Sequence, residues 1–191
     1  MIKAIYVKLA TIAILFSVWS NVFASGFNEP TVKIEHNSIK VSFSFTSDEK
    51  FIKSLKEGAS KEVLVYADLF RHWDILPDEF ITGNKTVVDL YSDPLKGEYI
   101  ASKYDGKKSI VKRFKSVESM LHWAFEFKDV KVANMKGYEY GSYYVKIKAE
   151  AYSDTVVSLL AKMLLIQPKD FSYEIVVLRF KWLKDKILPL Q

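Results

Sequence analysis

Residues Tyr143-Tyr144-Val145-Lys146-Ile147-Lys148-Ala149-Glu150-Ala151-Tyr152 alternate without a break. Tyr143, Val145, Ile147, Ala149 and Ala151 fall on one side, and Tyr144, Lys146, Lys148, Glu150 and Tyr152 on the other. A period of two is the pattern of a strand buried on one face. One dry face and one wet face are the mark of an antiparallel sheet.

The same period recurs on either side. Ile39, Val41, Phe43 and Phe45 alternate with Lys40, Ser42 and Ser44, and 31–36 precedes them across a link short enough for a hairpin. Residues 62–70 carry Val63, Val65, Ala67 and Leu69 against Leu64, Tyr66, Asp68 and Phe70. Both faces of that segment are largely apolar, which predicts a central strand. Gly83-Asn84 reads as a turn leading into 86–91, and 93–97 as another. Asp105-Gly106 between 98–104 and 107–114 is a hairpin signal. Residues 130–135 read as a weak strand and 173–181 as the last one. Three helices interrupt the strands. Residues 48–57 are expected to be capped by Ser47 and to end at Gly58, 117–125 to be capped by Ser116, and 155–166 to be capped by Asp154 and to stop before Pro168. Short connections and the absence of βαβ alternation predict a mainly β or α+β domain. Its frame is an antiparallel sheet or sandwich with about three short helices.

The first thirty residues read as an address. Lys3 and Lys8 precede an apolar run from Leu9 to Trp19, and no acid occurs before Glu29. The run is too short for a spanning helix and suits a signal peptide. Val22-Phe23-Ala24 predicts cleavage between Ala24 and Ser25. The expected organisation is a signal peptide over 1–24, a short exposed lead over 25–30, one β-rich domain over 31–181 and a tail over 182–191. An uncleaved leader anchored in the inner membrane is the alternative to a periplasmic or secreted product.

Composition narrows the classes further. Of 191 residues, 49% are hydrophobic and 27% charged, which excludes an intrinsically disordered chain. With no cysteine there is no disulfide, thiolate metal site or thiol nucleophile. The net charge is +5, but only Arg71, Arg113 and Arg179 are arginines, and the lysines as a whole are interleaved with acids. Removing 1–24 takes away Lys3 and Lys8 and leaves +3. That pattern argues against a nucleic-acid partner and allows weak contact with an anionic membrane surface.

Taken in order, the hairpin 32–45, the helix ending at Gly58, and the strand 63–70 running into Arg71-His72-Trp73-Asp74 make a pattern. Tyr91-Ser92-Asp93-Pro94-Leu95, the helix 117–125 and Tyr143-Tyr144-Val145 continue it. Over about residues 30–181 this resembles the bacterial family called domain of unknown function number 4390. The resemblance implies an N-terminal export or anchor segment and one domain of this size. It implies no catalytic residues.

Candidate chemistry is sparse. His36, His72 and His122 form no metal spacing with one another. Glu118 and His122 share a helix face, and a zinc site would need a third ligand, so a surface pair is the plainer reading. Asp74, Asp78 and Glu79 are close in sequence, but nothing sets two of them across a cleft. No serine has a matched base and orienter. No catalytic residue, metal ligand or cofactor is therefore assigned. Arg71, Trp73 and Asp74 are the candidate binding residues, because Trp offers a flat apolar surface and Arg a bidentate grip on anions. The competing reading has Trp73 finishing the core rim and Arg71 pairing with a carboxylate. Tyr138, Tyr140, Tyr143, Tyr144 and Tyr152 form an aromatic cluster that suits strands as well as ligands.

The expected function is an exported, non-enzymatic binding or adaptor module whose partner is a protein or other envelope component. The alternative is a membrane-surface or lipid-handling module using 156–166 and the tail with Trp182, Leu183, Ile187 and Leu188. A hydrolase is the third reading.

Overall fold

The computed structural model describes residues 26–93, 95–153 and 169–190. The expected leader, the Ala24–Ser25 junction and the helix over 155–166 lie outside the described residues.

Among the described residues, ten strands form two antiparallel sheets. The small sheet has the order β1 (Phe27–Glu35), β2 (Ser38–Phe45), β7 (Glu126–Asn134). The large sheet has seven strands: β10 (Lys186–Pro189), β9 (Lys169–Leu183), β8 (Gly141–Ser153), β3 (Lys61–His72), β4 (Glu79–Asp93), β5 (Glu98–Tyr104) and β6 (Ser109–Phe114). The strand with two apolar faces, β3, is the middle one. Two helices occur among the described residues, α1 (Glu49–Lys56) and α2 (Val117–Ala124). The Asp48 carboxylate caps α1 by accepting from Phe51 N at 2.8 Å, and the Ser116 hydroxyl caps α2 by accepting from Ser119 N at 3.2 Å.

The alternating residues point where period two requires. Val145, Ile147, Ala149 and Ala151 of β8 are fully buried, as are Val63 and Leu69 of β3 and Ile39 and Val41 of β2. Between the sheets, phenylalanines join into a continuous body. Phe45 stacks on Phe125 with centroids 4.4 Å apart, and Phe43 on Phe127 at 4.9 Å. Phe51 and Phe171 meet at 5.4 Å. Burying these rings, together with the aliphatic side chains around them, stabilises the domain.

Several expectations are corrected. Gly83-Asn84 is no turn; both residues lie inside β4, paired with Asp68 and Ala67. The glycine serves close approach, because a Cβ there would stand 2.0 Å from the Asp68 Oδ1. β7 is longer than the weak strand over 130–135. Its pairing with β2 shifts register twice, and Asp129 has φ 50°. Such bulges break the period of two that would reveal the strand. The expected exposed lead is instead the start of β1: Phe27 is 5% exposed and Gly26 lies against the Tyr173 ring, while Asn28 and Glu29 are exposed as expected.

The expected tail over 182–191 is also corrected. β9 continues to Leu183, and β10 folds back on it through Lys184 and Asp185, both with positive φ. The same two-residue geometry closes β1 and β2 through His36 and Asn37, and it matches the twist of paired strands. Trp182 has 0% exposure and donates its Nε1 proton to the Tyr138 carbonyl at 3.1 Å. It is thus unavailable to a membrane surface. No helix among the described residues is long and apolar enough to cross a membrane.

Candidate functional site

Arg71, Trp73 and Asp74 sit at and just beyond the end of β3. The Arg71 guanidinium stacks on the Trp73 ring, 4.1 Å from its centroid, and pairs with Glu139. Its second nitrogen donates to the Tyr140 carbonyl at 3.4 Å. Arg71 and Trp73 are thus satisfied by each other and by the loop before β8. Asp74 is almost fully exposed and lies 3.8 Å from His72. The structure brings Arg71 and Trp73 together, and neither lines the two pockets described below.

Asp78, beside them, ties three groups. It meets His72 Nδ1 at 2.9 Å, accepts the Tyr144 hydroxyl proton at 2.9 Å, and accepts from Trp73 N at 3.3 Å. Those bonds hold its carboxyl below the usual range. Burial, reinforced by Asp78, pushes the Tyr144 phenol up to about 12. A phenol held protonated is a hydrogen-bond donor and a poor nucleophile, so this constellation clasps the strand ends.

The concavity is elsewhere. A cleft of about 420 Å³ opens where α1 and α2 meet the small sheet. Its floor is Phe45 of β2, Ile52 of α1, and Leu121 and Phe125 at α2 and its end. The floor is rigid because Phe45 is stacked on Phe125. The rim is polar: Asn28, Ser44, Glu118, His122 and Glu126. A shallower pocket of about 180 Å³ adjoins it, sharing Asn28, Ser44 and Glu126, so the two make one groove. The bulge of β1 between Asn28 and Thr31 lies at this second part.

Glu118 and His122 share a face of α2 as the sequence requires, but Glu118 is engaged by Lys56 at 2.9 Å, which braces the two helices. Glu126 is paired with Lys128 at 2.7 Å. Both ion pairs hold the carboxyls below the usual range, so the rim stays ionised at neutral pH. Among the described residues no group of three His, Asp or Glu has the arrangement of a metal site.

Sequence reading missed this groove because its residues come from five separate segments. The one local signal was His122 and Glu118 on the same face as Leu121.

The frame and groove define a two-layer antiparallel β domain whose concavity is apolar at the base and polar at the mouth. The chain belongs to the family described as Domain of unknown function (DUF4390), which it matches over residues 29–178. Comparison with curated proteins and with solved structures gives no match.

Proposed function

We propose that the protein is an exported, non-enzymatic binding or adaptor module of the bacterial envelope, and that the groove between α2 and the small sheet is where it holds its partner. One observation carries the reading: a stacked aromatic floor opens to solvent under a rim of ionised and hydroxyl groups. Binding sites combine an apolar body with a few polar groups that set orientation in this way. An aliphatic or aromatic side chain of a partner fits the floor, and its flanking backbone would meet Asn28 and Ser44. The leader-like composition of residues 1–24 supports export.

The test is site-specific photocrosslinking in intact cells. A benzoylphenylalanine at His122 should give a discrete adduct, and one at Lys85, outside the groove, should not. Ser44→Trp, which fills the groove, should abolish the His122 adduct. The same pattern from both positions would overturn the groove as the binding site. Recovery of the protein only in the cytosolic fraction would overturn the envelope assignment.

A further inference from the structure

We infer that the outer edge of β6 is a second docking surface, which accepts an acidic, extended segment of a partner protein as an added strand. β6 is last in the order of the large sheet, so no described strand lies along its far side. Its backbone donors and acceptors on that side form a template for strand addition. The pairing of β6 with β5 is regular from Tyr99–Phe114 to Tyr104–Ser109, with no bulge to twist the edge away. No proline interrupts it. Ile110 and Val111 are 53% and 60% exposed and lie on opposite faces, and Tyr104 beside them is 45% exposed.

Charge selects the occupant. The lysines that are interleaved with acids over the whole chain concentrate here. Lys107, Lys108, Lys112, Arg113 and Lys115 stand against Asp105 alone. Asp105 is committed to the turn, accepting from Lys107 N at 2.9 Å and Lys108 N at 2.8 Å. Arg113 and Lys115 share the single carboxylate of Glu98, at 3.1 and 3.2 Å. Among the described residues no carboxylate lies within ion-pair distance of Lys107, Lys108 or Lys112.

Edge lysines ordinarily guard a sheet against indiscriminate pairing. Here they flank two exposed apolar side chains, so they repel one class of strand and attract another. A second copy of β6 would set like charges opposite one another, which disfavours self-pairing. An acidic strand would place its carboxylates against Lys112 and Arg113 and its apolar residues over Ile110 and Val111. This surface does not depend on the groove, and it would serve an adaptor that contacts two partners.

The probe is a fluorescent octapeptide repeating Glu-Glu-Val-Val, which sets both a carboxylate and an apolar side chain on each face, compared with one repeating Lys-Lys-Val-Val. The acidic peptide should bind, the basic one should not, and binding should slow amide exchange in Ser109–Phe114. Lys107→Glu combined with Lys108→Glu and Lys112→Glu should weaken binding by at least about tenfold. Lys107→Gln with Lys108→Gln leaves Lys112 on the Trp123 ring and should weaken it by about threefold or more. Unchanged exchange of the β3 amides would show that each variant is folded. Ser44→Trp should leave peptide binding intact, which separates failure here from failure of the groove. Absence of binding at about 1 mM, equal binding of the two peptides, or protection away from β6 would overturn the inference. So would protection of β6 by vesicles rich in phosphatidylglycerol but not by the peptide, which would make the surface a membrane contact.

Discussion

Lys103 is held in a place where charge is costly. Its ammonium lies over the Phe127 ring at 4.2 Å and the Trp123 ring at 4.9 Å, and it donates to the Glu126 carbonyl at 2.6 Å. Burial is the largest influence and lowers its pKa to about 8 from the ordinary lysine value of 10.5. In the unfolded chain the group keeps the ordinary value. Between about pH 8 and 10, therefore, the unfolded state holds a proton that the folded state has released, and stability rises with pH. Each unit of pKa difference is worth about 1.4 kcal/mol, so raising pH from 7 to 10 adds about 2.5 kcal/mol if the whole shift is realised. Partial access to water reduces this to about 2 kcal/mol. Below pH 8 both states are protonated and the contribution is flat.

Lys103→Met keeps the aliphatic stem and removes the titration. Urea unfolding of the two proteins at pH 7, 8, 9 and 10 provides the assay. The wild-type midpoint should move upward relative to that of the variant by about 1 M urea across the range. Tyr144, Tyr152 and Tyr173 have raised pKa values and act in the opposite direction only as pH passes 10. The variant shares them, so they cancel in the comparison. Parallel profiles for the two proteins would refute the claim that Lys103 titrates in a dry site.

Trp182→Ala should cost about 3–5 kcal/mol, because it empties a fully buried indole site and orphans the Tyr138 carbonyl; thermal unfolding would show it as a large drop in Tm. Trp73→Ala should cost only about 1–2 kcal/mol, since that ring is half-buried and loses chiefly its stack on Arg71, and calorimetry distinguishes the two tryptophans. For Glu150, burial raises the carboxyl's pKa, but hydrogen bonds from Lys169, Lys148 and Tyr152 outweigh burial and hold it at about 2. Its stabilisation is full above about pH 4.5 and is lost as pH falls toward 2. Glu150→Gln should be destabilised by about 2 kcal/mol at pH 7, with the gap closing by about pH 2–3 in acid-unfolding curves.

The alternation in 39–45, 63–69 and 143–151 was enough to determine antiparallel strands and their inward residues. This is because period two maps a one-dimensional pattern onto two faces without reference to any partner. The cap at Ser116 and the turn at Asp105-Gly106 were legible for the same reason: each is settled within four residues, whereas the first helix was capped one residue early, at Ser47 instead of Asp48. β7 was legible only in part, as the weak strand over 130–135, and β10 not at all. In β7 two register shifts erase the period. In β10 the turn residues Lys184 and Asp185 take positive φ without a glycine to announce it. Gly83 misled because glycine marks turns and close approaches alike, and only the position of Asp68 on the neighbouring strand distinguishes them.

Family membership and the isolation of Arg71 and Trp73 as the densest polar–aromatic cluster could both be read from sequence. The ring stack and the Glu139 partner could not. Apart from the shared face of Glu118 and His122, the groove lay beyond sequence. Asn28, Ser44, Ile52, Leu121 and Glu126 converge only when the small sheet closes over the large one with both helices beside it, and the packing of distant apolar faces alone determines that distance.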